Sequence, residues 1–198
     1  MKDNTFITIT RQYGSGGMAI AEAVAKSLGV KCYNREIVVA AAESLDTFDD
    51  IKSVIENAYD TPNDFISAIS SLAGQSMPRQ NQMYIQQARI ILELAEIGES
   101  AVFVGRCADY ILREKPNCYS FFIYADDEYR RKQVRDVYRD SSLQDVRDVD
   151  AQRKRYYAYY TGRTWGDPQN YDLMINTTNI STEMAARMIV RYVELRQN

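Results

Sequence analysis

The stretch Phe6–Leu28 reads FITITRQYGSGGMAIAEAVAKSL and predicts a strand, a glycine-rich turn and a helix in direct succession. The predicted strand has apolar residues at Phe6, Ile7 and Ile9; the turn holds Gly14, Gly16 and Gly17; the helix has an apolar face at Ile20, Ala23, Val24 and Leu28. Such a turn aims several backbone N–H groups and a helix N-terminus at one point, where an anion such as phosphate can bind. The alternative is a plain tight turn between a strand and a helix.

The turn fits the phosphate-loop pattern G-x-x-x-x-G-K-[ST] only in part. When the last glycine of the pattern is placed on Gly16, the first glycine falls on Arg11. The lysine then falls on Gly17 and the hydroxyl residue on Met18. The pattern therefore keeps the backbone cradle but lacks the lysine charge for the phosphates and the hydroxyl for Mg²⁺, which phosphoryl transfer usually takes from this loop.

Composition bounds the class of protein. With 198 residues, 45% hydrophobic and 26% charged, we expect one globular domain over 1–198. A net charge of −3 gives no overall attraction to nucleic acid or to an anionic membrane, so neither is expected as a partner. The chain has no histidine, and its three cysteines lack metal-ligand spacing, so no metal ligands are assigned and His-based catalysis is excluded. No apolar run has membrane-spanning length and Met1–Thr10 lacks a signal-like core, so a cytoplasmic location is expected. An oligomer is possible, but the sequence does not specify one.

The rest of the chain alternates strand-like and helical patterns, except over residues 46–98, where only helical patterns occur. Such an insertion either binds a second substrate or only covers the sheet. The later predicted strands are Ala101–Val104, Tyr119–Tyr124 and Leu173–Asn176. A closing helix follows Ser181, its predicted N-cap, with Met184, Met188, Val190 or Ile189, and Leu195 on the inner face.

Arg106 follows the predicted strand Ala101–Val104 in the segment GRCAD. Ligands of open parallel sheets gather at the carboxyl ends of the strands. A contact from Arg106 to a ligand phosphate or carboxylate is therefore favoured over a structural salt bridge to a residue such as Asp109.

The densest cationic region lies between Arg130 and Arg163, with aspartates mixed in. It is either a solvated helix face or an arginine-bearing lid that closes over phosphates. Four tyrosines lie in the same region, at Tyr156, Tyr157, Tyr159 and Tyr160. Their spacing favours a packed helix face over a platform on which bases stack.

Five segments resemble the cytidylate kinase-like family, a branch of the P-loop nucleoside monophosphate (NMP) kinases. They are ITITRQYGSGG (Ile7–Gly17), VKCYNREIV (Val30–Val38), VFVGRCADYIL (Val102–Leu112), FFIYADDEYRR (Phe121–Arg131) and DAQRKRYYAYYTGRTWGDPQNYDLMINT (Asp150–Thr177). The similarity runs nearly end to end and is weakest over 46–98. It implies an α/β, three-layer parallel-sheet P-loop kinase fold, with a helical NMP-binding insertion at 46–98 and an Arg-rich lid at 140–165. The implied reaction moves a phosphoryl group from ATP to CMP or dCMP with Mg²⁺.

The resemblance also implies roles for single residues. The donor-phosphate loop would comprise Gly14, Ser15, Gly16, Gly17 and Met18, and the acceptor contacts would come from Arg35, Arg106 and Arg130. Arg153 matches the lid arginine, with Asp150 three residues before it. The chain departs from cytidylate kinases proper in having Gly17 where they carry lysine and Cys107 where they carry aspartate.

Three functions remain open from the sequence. The first is a transferase in which Arg11 and Arg153 supply the catalytic cations that the loop lysine would otherwise provide. The second is a non-catalytic nucleotide- or anion-binding protein that retains the kinase fold, which the residues Gly17 and Met18 favour. The third, a nucleic-acid module built on the Arg/Tyr segment, is disfavoured by the net charge.

Overall fold

The computed structural model describes residues 2–34, 37, 79–138 and 146–197, and for residues 79, 80, 137 and 138 it describes only the backbone. Within these ranges, five strands form one parallel sheet in the order β2-β3-β1-β4-β5. The strands are β1 (Phe6–Arg11), β2 (Lys31–Tyr33), β3 (Ala101–Val104), β4 (Cys118–Tyr124) and β5 (Leu173–Asn176). The predicted Phe6–Ile9 strand thus becomes the centre of the sheet.

Helices connect the parallel strands, and a last helix follows β5. They are α1 (Gly17–Leu28), α2 (Arg79–Glu96), α3 (Ala108–Ile111), α4 (Asp127–Tyr138), α5 (Val146–Thr161) and α6 (Thr182–Gln197), with a short 3₁₀ helix at Pro168–Asn170. Gly29 ends α1 in a left-handed conformation with φ of 68°, and its N–H bonds back to the last carbonyls of the helix. The Ser181 hydroxyl accepts a hydrogen bond from the backbone N–H of Met184 (3.2 Å), which confirms the predicted cap of α6.

Two apolar layers cover the two faces of the sheet. On one face, α1 and α6 pack against alternate strand residues such as Ile7, Ile9 and Phe121. On the other face, α2 and α3 pack against Phe6 and Phe103. This is the three-layer α/β arrangement that the sequence predicted, and it explains why strands such as β3 are buried along their whole length.

A third cluster anchors α5 to the second face. The Phe122 ring lies 5.0 Å from the rings of both Trp165 and Tyr171, measured between centroids. Tyr157 of α5 and Cys107 complete the buried part of this cluster. The predicted packed face of the tyrosine-rich helix is confirmed for Tyr157, whereas Tyr159 is 69% exposed.

The predicted inner face of α6 is confirmed at Ile189, one of the two alternatives given there, and is wrong at three other positions. Met184, Met188 and Leu195 are exposed, and the buried side of the helix consists of Ala185, Ala186, Ile189 and Val193. Both faces of this helix carry apolar residues at helical spacing, so spacing alone does not fix which face is buried. The small side chains of Ala185 and Ala186 suit the close contact between α6 and α1.

The predicted helical insertion at 46–98 is described only over 79–98. Within that part, Arg79–Glu96 form α2 as the helical pattern predicts, and residues 46–78 lie outside the described residues. In the described part of the chain, no helix is long and apolar enough to cross a membrane.

Candidate nucleotide-binding site

The candidate residues meet at the carboxyl edge of the sheet, because β1, β3 and β4 are parallel and end on the same side. The glycine loop follows β1, the turn with Arg106 follows β3, and α4 follows β4. Helix α5 adds Asp150 and Arg153 from a distant part of the chain. The fold therefore collects four separate segments around one loop.

Hydrogen bonds fix the glycine loop against the carboxyl ends of β4 and β5. The Gln12 N–H donates to the Ile123 carbonyl (2.9 Å), and the Gln12 side-chain oxygen accepts from the Ala125 N–H (3.1 Å). The buried Ser15 hydroxyl donates to the Gln12 carbonyl (2.8 Å), and the Ser15 carbonyl accepts from the Thr177 hydroxyl (2.8 Å). Ser15 is thus a fixed part of the loop, and its hydroxyl points back into the protein.

The upper side of the loop has the geometry of an anion site. Gly16 is the N-cap of α1 with φ of 78°, and as a glycine it has no side chain that could cap the helix. Among the described residues, no heavy atom would come within 4 Å of a Cβ at Gly16. The described residues thus leave space beside Gly16, and the N–H groups of the first turn of α1 are candidate donors to phosphate oxygens there.

Arg11 lies directly beside the loop. Its side chain passes over Gly17, since a Cβ at that glycine would stand 2.8 Å from Arg11 Cγ, and its guanidinium lies against Gly105. Gly105 is the residue before Arg106. The predicted catalytic residue Arg11 thus extends from the donor loop towards the predicted acceptor arginine.

Arg153 also reaches the loop. Its Nη1 donates a hydrogen bond to the Arg11 carbonyl (2.8 Å), and its guanidinium lies 5.7 Å from the Tyr13 ring centroid. Arg153 therefore contacts the backbone at Arg11, whereas the Arg11 guanidinium lies at Gly105, and the catalytic role of the two arginines stays a prediction.

Arg130 is engaged within the protein in this structure. Its buried guanidinium donates to the carboxylates of Asp150 and Asp127, both at 2.5 Å, and to the Tyr13 carbonyl (3.1 Å). Asp150 in turn accepts from the Tyr13 N–H (2.9 Å). These contacts join the loop, α4 and α5, and a substrate contact by Arg130 stays a prediction.

The pKa values of the two carboxylates that pair with Arg130 are shifted in opposite directions. Hydrogen bonds from Arg130 and Arg147 hold the pKa of the half-exposed Asp127 below its usual value. Burial raises the pKa of Asp150, although the Tyr13 N–H and the Arg130 charge both oppose the rise. We attribute the difference to solvent, because Asp150 is 4% exposed and loses most of its hydration.

The turn after β3 has three successive residues of positive φ, namely Gly105 at 69°, Arg106 at 56° and Cys107 at 57°. This left-handed run is costly for the two non-glycine residues and turns the chain sharply into α3. Cys107 is buried in the third apolar cluster, and this burial raises the pKa of its thiol, which disfavours the thiolate form.

Asp109 has a buried partner that the sequence did not reveal. Its carboxylate accepts a hydrogen bond from the Tyr157 hydroxyl (2.6 Å), and burial raises the pKa of Asp109. Within the described ranges, its Oδ1 atom has no hydrogen-bond partner. The Asp109 carboxylate, a candidate salt-bridge partner of Arg106, is thus hydrogen-bonded to α5, and the phosphate contact of Arg106 stays a prediction.

The described residues offer little to a magnesium ion. Met18, at the hydroxyl position of the pattern, accepts a hydrogen bond at its sulfur from the Asn34 side chain (3.3 Å), and a thioether is a poor ligand for Mg²⁺. Among these residues, no group of three or more His, Cys, Asp or Glu side chains is suited to a metal ion. The predicted acceptor residue Arg35 lies outside the described residues.

Comparison with known structures agrees with this architecture. A protein from Eubacterium ventriosum whose crystal structure is titled uncharacterized is 27% identical, with a TM-score of 0.73, over 96% of this chain and 98% of that chain. A shikimate kinase from Bacteroides thetaiotaomicron is 13% identical, with a TM-score of 0.57, over 96% of this chain and 98% of that chain. A gluconokinase from Sinorhizobium meliloti is 11% identical, with a TM-score of 0.58, over 100% of this chain and 98% of that chain. No curated protein matches the chain at a significant level.

The model of the cytidylate kinase-like family matches residues 6–179, which include all four segments around the loop. The fold is that of the P-loop kinases, as the two kinase structures show. The chain belongs to the cytidylate kinase-like family.

Proposed function

We propose that this protein is a nucleoside monophosphate kinase-like phosphotransferase that moves the γ-phosphoryl group of ATP to a small acceptor, for which the family resemblance favours CMP or dCMP. The observation that carries the proposal is the N-terminus of α1 at Gly16, beside which the described residues leave space, with Arg11 and Arg153 contacting the same loop. Backbone donors of the loop, a guanidinium at Gly105 and a second guanidinium at the Arg11 carbonyl suit the several charges of a polyphosphate.

The reaction needs charge and position more than a protein nucleophile. An oxygen of the acceptor forms a bond to the γ-phosphorus while the bond from that phosphorus to the bridging oxygen of ADP breaks. Negative charge builds on the transferring group and on the bridging oxygen. Loop N–H groups, Arg11 and Arg153 would stabilise that charge, so the absence of histidine is no objection.

Mg²⁺, when bound with ATP, neutralises charge on the phosphate oxygens. The open side of Gly16 leaves room for such a ligand. Ser15 and Met18 would then contribute to the donor site through their backbone, since the Ser15 hydroxyl and the Met18 sulfur already have partners within the protein.

The acceptor site is proposed beside Arg106, with Arg35 and Arg130 as further candidate contacts. The position of Arg106 directly after β3 supports this assignment, because the donor loop follows the neighbouring strand β1. We further propose that 1–198 acts as a single domain, that residues 46–98 form the acceptor-binding insertion, and that 140–165 form a lid. The contact of α5 with the loop through Asp150 and Arg153 supports the lid assignment.

The second candidate function is a nucleotide- or anion-binding protein without turnover. Gly17 and Met18 favour it, since the loop lacks the lysine and hydroxyl of the pattern. Ligand binding would then act by shifting the position of α5.

One pair of measurements separates the two functions. ADP release is followed with ATP, Mg²⁺ and a panel of nucleoside monophosphates, and thermal shift is measured with the same ligands. We expect stabilisation by ATP and release of ADP that depends on CMP or dCMP. Stabilisation without turnover for every monophosphate would select the binding function.

A further inference from the structure

Position 17 has no room for a side chain, because the Arg11 side chain lies against it. It lies at the first position of α1 and is not among the glycines of positive φ, so its backbone conformation is open to other residues. A Cβ at this position would overlap Arg11 Cβ and stand 2.8 Å from Arg11 Cγ. Among the described residues, a side chain at position 17 would therefore meet only the stem of Arg11 at less than 3 Å.

The far end of the same side chain needs a second glycine. A Cβ on Gly105 would collide with Arg11 Nη1 and lie 3.3 Å from Arg11 Cζ. Gly105 also has φ of 69°, so both its backbone conformation and the nearby Arg11 side chain favour glycine there. At Gly17 only the Arg11 side chain does so. Arg11 is thus packed along its length between the loop and the turn that precedes Arg106.

The positions of Arg11 and Gly17 have a simple relation to the phosphate-loop pattern. The pattern has glycine at its first position and lysine at its seventh, and these positions are 11 and 17 in this chain. Here the first position holds the cation and the seventh holds the glycine. Relative to the pattern, the glycine and the cationic residue have exchanged positions. In the structure these two positions lie directly against each other.

We propose that Arg11 replaces the loop lysine, and that Gly17 is the partner change that gives its side chain room. The inference rests on the proposed function in that it assigns the phosphate-binding cation of the same site. A guanidinium delivered from β1 can bind two phosphate oxygens at once, whereas an ammonium acts as a point charge. Its path towards Gly105 sets this charge on the side of the loop that faces the acceptor turn.

The first test measures binding of inorganic tripolyphosphate by calorimetry, which needs neither acceptor nor turnover. We expect Arg11→Gln, which keeps the lower stem and removes the charge, to weaken binding about tenfold to a hundredfold. Gly17→Ala removes no functional group, yet it should weaken binding by at least about tenfold, because the added methyl group displaces Arg11. Wild-type affinity in either variant would overturn the proposal.

The second test exchanges the two residues. Arg11→Gly with Gly17→Lys restores the pattern, and we expect it to bind tripolyphosphate at least about tenfold more tightly than Arg11→Gly alone. Arg11→Ala with Gly17→Lys is the matched control, and it should not recover affinity because a Cβ at position 11 still overlaps one at position 17. An exchange variant no better than Arg11→Gly would overturn the proposal even if Gly17→Ala fails to fold. If the wild-type protein shows no turnover but the exchange variant binds tripolyphosphate as expected, the proposed transferase function is rejected and the role of Arg11 in phosphate binding is retained.

Discussion

The two glycines of positive φ in the loop, Gly14 and Gly16, differ in their surroundings. Gly14 and Gly16 have φ of 77° and 78°, a conformation that side chains rarely adopt. A Cβ on Gly14 would stand 2.6 Å from the Arg130 carbonyl oxygen, so the loop and α4 touch there. At Gly16 the described neighbours leave the space open. A substitution at Gly14 therefore disturbs the packing of the loop against α4, whereas a substitution at Gly16 tests ligand binding.

Gly16→Ala should weaken ATP binding at least about tenfold, because its methyl group would project into the space where phosphate is expected. Gly29→Ala is the matched control, since Gly29 also has positive φ, at 68°, and no described atom within 4 Å of a Cβ. Both changes should lower the free energy of unfolding by about 1–2 kcal/mol through backbone strain. Calorimetric titration with ATP, beside urea denaturation, separates the two effects. Unchanged affinity in a folded Gly16→Ala protein would contradict the phosphate-loop assignment.

Arg106→Ala should weaken binding of the acceptor monophosphate about tenfold to a hundredfold and leave ATP affinity nearly unchanged. The reason is the loss of a charge-assisted contact from the turn after β3. Arg113→Ala is the control, because Arg113 lies on the same segment against the Tyr110 ring and pairs with Glu114. Titrations with CMP and with ATP give the two affinities. Equal losses for both ligands would mean that Arg106 has a structural role or contacts another site.

Asp109→Asn should become more stable relative to wild type as pH rises from about 4. Burial raises the folded pKa of Asp109, so between the unfolded and folded pKa values the native state holds a proton that the unfolded state has lost. The wild type therefore loses stability as pH increases through that interval, and asparagine removes the effect while keeping an oxygen for the Tyr157 hydroxyl. Urea denaturation of both proteins at several pH values measures the difference. Parallel pH curves would show that Asp109 ionises normally.

At the scale of elements, one buried arginine ties together the loop, α4 and α5. Arg130 lies in the first turn and a half of α4 and contacts Asp150 of α5 and the Tyr13 carbonyl of the loop. Asp127 lies one turn before it and is shared with Arg147, the second residue of α5. The same arginine therefore has one buried and one partly exposed carboxylate.

Asp150→Ala should lower the free energy of unfolding by about 3–5 kcal/mol, because it leaves the Arg130 charge buried without its buried partner and removes the acceptor of the Tyr13 N–H. Asp127→Ala is the matched control, since the side chain of Asp127 is 34% exposed and pairs with the same guanidinium. Its loss should be about 1 kcal/mol or less. Urea denaturation of the two variants gives the comparison. Equal losses would show that burial does not distinguish the two ion pairs.

Strands were easier to predict from the sequence than helix faces. Ala101–Val104 and Leu173–Asn176 are continuous apolar or nearly apolar runs, and their predicted limits are those observed. In α6, by contrast, apolar residues occupy two faces, and only the packing against α1 decides between Met184 and Ala185 as the buried side. Where local spacing permits two answers, the tertiary contact determines the outcome.

At the scale of the whole molecule, the sequence predicted which segments matter but not how they touch. The glycine loop, Arg106 and Arg153 were all singled out from motif and resemblance. The contact of Arg11 with Gly17 and Gly105 was not predictable, because Gly105 lies 94 positions from Arg11 and meets it only through the pairing of β1 with β3. The bond from Tyr157 to Asp109 likewise joins α5 to a distant turn. Such long-range contacts depend on strand order, which local patterns do not specify.

The convergence of the loop and α5 leads to a prediction about turnover. Arg153 of α5 bonds to the Arg11 carbonyl, so a single cation from the proposed lid is joined to the strand that begins the donor site. We expect Arg153→Ala to lower kcat at least about a hundredfold while ATP affinity stays nearly intact, because an arginine that stabilises transferring charge contributes about 10³–10⁵ in rate in other phosphoryl-transfer enzymes. Arg155→Ala, an exposed arginine two residues further along the same helix, is the control and should change neither quantity by more than about twofold. Steady-state ADP release gives kcat and KM, and calorimetry gives ATP affinity. A loss confined to KM would mean that Arg153 binds ATP in its ground state, and a kcat equal to that of Arg155→Ala would exclude Arg153 from catalysis.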